Sequence, residues 1–298
     1  MTAVSDFQQI EIRHKDLFDH YFKEDPPVIS ELTFINLFIW RHQYRPVWLE
    51  TDDCLLIICR PEGLPPYGLE PVGPGDKGGA LDMLLGYLDE ITSESSIRKV
   101  SERFVNTCLE PDRYYSVLDQ DNCDYVYKAV DLIQLSGKKY HRKKNHLNQF
   151  LKHYEFEYME LDKNLKESVL AMQERWCELK YCEGSRSLSS EDIAIHEAMI
   201  HFDTLDYKGC VIKINSRIEA FSIGEQLNSN TAVVHIEKAN PDIPGLYVAV
   251  NQFFCQDAWA EVEYINREQD LGIEGLRKVK ESYYPDHMVN KYIVSPIL

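Results

Sequence analysis

Long apolar runs are missing from this chain. No stretch approaches the ~18 consecutive apolar residues that a membrane-spanning helix needs, and the opening M-T-A-V-S-D-F-Q-Q has neither the basic nor the apolar region of a secretory signal. These absences predict a cytoplasmic protein with no transmembrane segment. Positive charge is scarce too: 32 Lys and Arg face 49 Asp and Glu, a formal net charge of −17. That excludes a protein whose whole surface grips nucleic acid, because phosphate binding needs clustered cations. The eight cysteines form no C-x-x-C pair, so neither a zinc knuckle nor a thioredoxin motif is supported. Their scatter through apolar runs predicts buried free thiols. G-x-S-x-G, Walker and Rossmann glycine patterns are also absent. H-E-A-M-I-H at 196–201 sets its histidines five apart, about 140° around a helix. Two ligands on one face need i, i+4 spacing, so no metal site is read here.

The 298 residues, 44% apolar and 27% charged, are ordinary for a soluble globular protein and long enough for two domains. Helices are predicted near 15–22 and over 30–40, the second capped by Ser30. Strands follow at 47–50, 54–59 and 67–72. The turn G-P-G-D-K-G-G then leads into an amphipathic helix carrying Leu81, Leu84, Leu85 and Leu88. A strand at 97–100, a helix at 103–109 and a strand at 125–132 complete the first half. The second half opens with helices at 138–153, 163–181 and 190–201. A three-strand meander follows at 207–214, 217–226 and 231–238. The segment 245–260 is apolar nearly all round, as a buried helix is. A strand at 262–266, a helix at 272–283 and a strand at 288–294 close the chain. Both halves share one order: three strands, helix, strand, helix, strand. That is the order of the Gcn5-related N-acetyltransferase fold. The reading is therefore α/β (α+β), two tandem acetyltransferase-like domains with mixed sheets flanked by helices, at 1–135 and 136–298. The second domain carries the site.

Three stretches bear on chemistry. In E-Y-I-N-R-E-Q-D-L-G-I-E-G-L-R-K-V-K-E-S-Y-Y-P, 263–285, a short strand ends in a polar turn. Gly272 and Gly275 then open a helix with Arg277 and Lys280 one turn apart. Glycines at a helix start admit an anion to backbone N–H groups, and the two cations add capacity for phosphate or carboxylate. The same pattern also fits glycines kept for close packing. In G-K-K-Y-H-R-K-K-N-H-L-N-Q-F-L-K-H, 137–153, Lys138, Lys139, Arg142, Lys143 and Lys144 stand with no acidic residue. This island in an acidic chain reads as a polyanion-binding helix, or as a solvated face. In H-I-E-K-A-N-P-D-I-P-G-L-Y, 235–247, Glu237 and Lys238 end a strand before a turn with one glycine, Gly245, and two prolines. Prolines lack an N–H, so this turn makes a poor nest for the pyrophosphate of coenzyme A.

Taken together, these three stretches and S-E-L-T-F-I-N-L-F-I-W in the first half resemble the phosphatidylglycerol lysyltransferase C-terminal-domain family, and specifically its soluble, stand-alone bacterial members. The resemblance covers most of the chain. It implies tandem acetyltransferase-like domains related to the Fem-type aminoacyl transferases, and a transferase taking an aminoacyl group from aminoacyl-tRNA. The acceptor would be an amine or hydroxyl of a lipid headgroup, a peptide or a small molecule. The chain lacks the membrane-spanning half of the best-known relatives. On this reading Glu237 and Asp270 are the candidate catalytic residues. Lys238, Tyr247, Asn266, Arg267, Gly272, Gly275, Arg277 and Lys280 line the substrate site, and Lys138, Lys139, Arg142, Lys143 and Lys144 hold tRNA. No cofactor or metal is implied. Two alternatives stay open: a coenzyme-A-dependent N-acetyltransferase using acetyl-coenzyme A, and a non-catalytic module that binds an anionic metabolite.

Overall fold

The computed structural model describes residues 6–180 and 184–297. Tyr181, the end of the expected helix 163–181, and Cys182 lie outside the described residues, as do the first five. In chain order the strands begin with β1 (Gln8–Gln9), β2 (Val47–Thr51), β3 (Cys54–Cys59), β4 (Tyr67–Gly68), β5 (Ile97–Ser101), β6 (Tyr114–Leu118) and β7 (Asp124–Lys128). They continue with β8 (Phe156–Glu160), β9 (Lys208–Ile214), β10 (Arg217–Gln226), β11 (Thr231–Ala239), β12 (Tyr264–Asn266), β13 (His287–Val289) and β14 (Lys291–Pro296). The helices begin with α1 (Lys15–Glu24), α2 (Phe34–Ile39), α3 (Arg41–Tyr44), α4 (Lys77–Asp89), α5 (Glu102–Cys108) and α6 (Ala129–Gln134). The rest are α7 (His141–His153), α8 (Lys166–Lys180), α9 (Arg186–Ile200), α10 (Phe202–Leu205), α11 (Leu246–Ala258) and α12 (Glu274–Glu281).

These elements make two compact units. One holds residues 1–124, 269–273 and 288–298, and the other holds 125–268 and 274–287. The first sheet runs β1-β2-β3-β4-β5-β14-β6 and the second β13-β7-β12-β11-β10-β9-β8. Neither unit is a continuous piece of chain. Strand β7, expected to close the first half, pairs antiparallel with β12 in the second sheet. Strand β14, expected to close the second half, lies between β5 and β6 in the first. Hydrophobic period marks a segment as a strand but carries no information about its partner, so this exchange is invisible to a linear reading.

In the first unit, β3 is buried along its whole length, and Leu81, Leu84 and Leu88 of α4 pack on Leu56 and Ile58. Asp76 caps α4 by accepting from the Gly78 and Gly79 N–H groups. The preceding Gly73 has φ +137, and a Cβ there would lie 2.2 Å from the Asp53 carbonyl oxygen. That glycine serves a close backbone approach. Helix α2 starts later than expected because Thr33, not Ser30, is its cap: Thr33 Oγ1 accepts from Asn36 N–H at 3.1 Å. Ser30 instead donates its N–H and hydroxyl to Asp124, at 2.9 and 3.0 Å. Asp124 belongs to a buried ionic group in which Lys291, with no exposed surface, reaches Asp124 at 2.6 Å and Glu31 at 2.5 Å. The short parallel pairing of β4 and β5, at Gly68 and Ile97, is sealed by Glu70. This buried carboxylate accepts from the Ser101 N–H at 2.6 Å and its hydroxyl at 3.0 Å.

In the second unit the meander β9-β10-β11 carries the buried helix α11, whose core residues include Leu246, Ala249, Val250 and Phe254. Gly245, at φ +86, caps α11 where a Cβ would lie 2.3 Å from the His146 carbonyl oxygen of α7. Its role is to let the two helices touch. Among the described cysteines, Cys54, Cys59, Cys123, Cys210 and Cys255 are buried free thiols as expected, while Cys108 is free but half-buried. Cys177 departs from that expectation because it is disulfide-bonded. No helix among the described residues is long and apolar enough to cross a membrane.

Candidate functional site

Strands β11 and β12 run parallel for only three pairs, Thr231–Tyr264 to Val233–Asn266. Then β11 continues to Ala239 while β12 stops, so the sheet opens on the β11 side. A bulge adds to the divergence: β10 pairs Gly224 with Val234 but Ile223 with Ile236, which leaves His235 as the extra residue. The opening is bridged by side chains. Arg267, the first residue after β12, donates Nη2 to Glu237 Oε1 of β11 at 2.9 Å. Asn251 of α11 donates Nδ2 to Glu237 Oε2 at 2.8 Å. The Arg267 and Glu237 side chains are only 10% and 12% exposed. Among the described residues, Arg267 Nη1 and Asn251 Oδ1 are buried with no hydrogen-bond partner. One donor and one acceptor thus stand unfilled beside a single carboxylate.

Aromatic rings wall this group. The Arg267 guanidinium lies 4.7 Å from the Tyr283 ring centre and 5.7 Å from that of Tyr127. Tyr127 donates its hydroxyl to Lys280 O, and Tyr140 donates to Tyr283 O, each at 2.8 Å, which fixes the turn that follows α12. The Lys143 ammonium of α7 sits 3.7 Å from the Tyr283 ring centre. Burial, and then the Arg267 charge, push the Lys143 amine down to about 8 against the opposing pull of Glu237. The cluster therefore combines a fixed carboxylate, a fixed guanidinium and an amine that titrates near neutrality.

The residues expected at the site separate into groups. Glu237, Arg267 and Lys143 come together, although Lys143 was read as part of a polyanion surface. Lys238 and Tyr247 gather instead around Trp176: the Lys238 ammonium is 3.5 Å from its ring centre, and Trp176 Nε1 donates to the Tyr247 hydroxyl at 3.2 Å. Lys238 also pairs with Glu191 at 2.6 Å, and burial pushes its amine below the usual range. Asn266 is buried and stabilises the following turn, its Oδ1 accepting from Glu268 N–H at 2.7 Å. Lys138, just before α7, and Arg142 and Lys144, in its first turn, are exposed, while Lys139 pairs with Asp131 at 3.0 Å. On α12, Lys280 donates Nζ to the Arg267 carbonyl oxygen, and Arg277 is half-buried.

Asp270 and Gly272 belong to the first unit. Asp270 Oδ1 accepts the Gly272 N–H at 2.8 Å, so the amide expected to meet an anion is donated within its own turn. Gly272 has φ +71, and a Cβ there would meet Asp121 Oδ2 at 2.8 Å. Gly275 lies inside α12 with open space where a Cβ would stand. The two glycines should consequently respond in opposite directions. Gly272→Ala is expected to cost about 1–2 kcal/mol for a left-handed backbone with a side chain. Gly275→Ala should add about 0.5–1 kcal/mol by restricting the unfolded chain. Thermal melts of the two variants check both signs.

His235, at the bulge, is buried between two carboxylates, Glu225 and Glu268, each 2.8 Å away. Burial alone would lower its pKa, but the two hydrogen-bonded carboxylates outweigh it and hold the imidazole at about 9. A folded pKa above the unfolded value of about 6.5 stabilises fully below that value, and the contribution fades as pH rises through about 9. Urea midpoints should therefore fall between pH 6.5 and 9, and this slope should vanish in His235→Gln. Asn251, Tyr283, Tyr127 and His235 were not picked out from sequence. Asn251 stands with Gln252 in the middle of a largely apolar helix, which gave no reason to choose it over its neighbour.

The fold and family follow from comparison with known proteins. Over 98% of this chain and 99% of its own, a conserved protein of unknown function from Bacteroides thetaiotaomicron VPI-5482 is 31% identical, with a TM-score of 0.90. L-PGS from Bacillus licheniformis superposes with a TM-score of 0.67 at 13% identity, covering 96% of this chain and 92% of its own. A tandem GNAT protein from the clavulanic acid biosynthesis pathway covers 97% and 98% at a TM-score of 0.51 and 7% identity. The architecture is thus that of tandem Gcn5-related N-acetyltransferase domains. Residues 26–295 match the family described as phosphatidylglycerol lysyltransferase, C-terminal, and the chain belongs to that family.

Proposed function

We propose that the second unit transfers an acyl group, with an aminoacyl ester of tRNA as donor and an amine or hydroxyl as acceptor. The unfilled pair beside Glu237 carries this reading. Arg267 Nη1 has an N–H to give and Asn251 Oδ1 has lone pairs to accept. An aminoacyl group brings the complement, a carbonyl oxygen and an α-ammonium. An acetyl group brings the carbonyl alone. Both protein atoms are buried, so a substrate engages them only after a side chain at the rim shifts.

In that arrangement Arg267 stabilises the oxyanion that forms as the acceptor attacks the ester carbonyl. Both Glu237 oxygens already accept hydrogen bonds, which suits Glu237 to hold the α-ammonium. The proton lost by the acceptor passes to Lys143, of which about one-tenth is uncharged at pH 7. The ester C–O bond breaks as the new C–N or C–O bond forms, and the proton leaves on the ribose hydroxyl. Lys138, just before α7, and Arg142, in its first turn, are exposed and would contact tRNA phosphates.

The coenzyme-A reading is less favoured because residues 240–244 of the turn have no spare N–H. Asn240 N–H goes to Glu219 O, those of Asp242 and Ile243 go to Asn240, and Pro241 and Pro244 have none. Calorimetric titration with an amide-linked aminoacyl-adenosine and with coenzyme A tests the choice. Saturable binding of the first and none of the second is expected. The reverse preference would overturn the aminoacyl donor.

A further inference from the structure

Among the described residues, strand β6 is the last strand of the first sheet and pairs with β14 alone. Its free edge is apolar and open: Tyr115 and Val117 are 52% and 55% exposed, and Leu118 is 48% exposed. The devices that usually blunt an edge are missing from Tyr114–Leu118, which has no lysine, proline or bulge.

Hydrogen bonds at both ends of β6 fix the direction of its backbone. Asp119 N–H donates to Lys291 O, and Arg113 O accepts from Ile297 N–H, both at 2.8 Å. Residues 113 and 119 therefore turn their backbone groups toward β14. By the two-residue period, so do Tyr115 and Val117. Ser116 and Leu118 then turn their N–H and C=O outward. An unpaired row of this kind is a template for another strand.

We infer that this edge pairs with the same edge of a second copy, antiparallel about a two-fold axis at Ser116. In that register Ser116 exchanges both hydrogen bonds with its symmetry mate. Leu118 lies opposite Tyr114, and Tyr115 lies opposite Val117 on the exposed face, where aromatic and β-branched side chains pair favourably. Arg113, half-exposed and paired within its own chain with Asp82 at 2.7 Å, comes opposite Asp119 of the other copy, once at each end. The Tyr114 N–H is already given to Glu110 O at 3.1 Å, so the strand is self-complementary in hydrogen bonding at Ser116, and in apolar pairing and charge along its length, as an isologous interface must be. A different partner would have no reason to match all three.

Sedimentation velocity from about 1 to about 200 µM, the range of modest affinities, tests the proposal. The full chain should show a monomer–dimer equilibrium. Val117→Lys, which buries two like charges near the axis, should raise the dissociation constant at least about tenfold. Arg113→Glu should weaken the dimer as well, and adding Asp119→Arg should restore it by rebuilding both ion pairs in reverse. Thermal melts of each variant separate lost pairing from lost folding. A wild type that stays monomeric throughout, or a dimer indifferent to Val117→Lys, would overturn the inference.

Discussion

Replacing Lys143 by methionine is expected to lower the rate of acyl transfer by about 10²–10⁴-fold, the range that a positioned proton acceptor contributes. Methionine keeps most of the stem that packs beside Tyr283 and removes only the amine. The wild-type kcat/KM should rise with pH as the amine loses its proton and level off above about 8, the value to which burial and Arg267 push it. The variant should lack that inflection. Lys143→Arg should not restore activity, since a guanidinium holds its proton throughout this range. Stability discriminates further. A lysine whose folded pKa lies below its unfolded value opposes folding while charged, so Lys143→Met should be as stable at pH 7 as the wild type, or more so. A rate within a few-fold of wild type, with the inflection retained, would return Lys143 to a packing role.

Lys291→Met should bring the largest loss of stability. It removes a cation that reaches both Asp124 and Glu31, each buried, and leaves Lys99, 3.4 Å from Glu31, to compensate two carboxylates in the core of the first unit. Breaking a buried pair by deleting one partner costs about 3–5 kcal/mol, read as a shift in urea midpoint at pH 7. Burial alone would raise the Glu31 pKa, but Lys291 and then Lys99 outweigh it and hold the carboxyl below its usual range. A folded pKa depressed in this way stabilises above the unfolded value of about 4.3, and that contribution is lost as pH falls through the lower folded value. In Lys291→Met the Glu31 carboxyl loses the larger of its two positive partners and takes up a proton more readily. The gap between variant and wild type should therefore shrink below about pH 4.

Much of the fold was legible because its strands and helices obey their periods. The meander 217–226 and 231–238 appears almost residue for residue as β10 and β11, and the buried helix 245–260 appears as α11. Three losses have physical causes. The exchange of β7 and β14 between sheets depends on pairing, which apolar spacing does not encode. The cap of α2 was misplaced because Ser30 and Thr33 are chemically equivalent candidates, and a buried aspartate far along the chain claims the serine. The role of Lys143 was hidden because a charge run looks uniform in sequence, whereas the helix turns Lys143 onto Tyr283 and leaves Arg142 exposed. At the candidate site, Glu237 and Arg267 were named from their places at strand ends. Their bond, and the unfilled atoms beside it, required the opening between β11 and β12.

The activity proposed for this opening is transfer of an aminoacyl group. Its most direct test follows a labelled amino acid on charged tRNA, mixed with the purified protein and with phospholipid vesicles, a peptide amine or a small amine as acceptor. Label should leave the tRNA and appear on one acceptor class at least about 100-fold faster than spontaneous loss, a modest acceleration for an enzyme. The gain should disappear in Lys143→Met. Loss of label at the protein-free rate, for every amino acid and acceptor tried, would contradict the account.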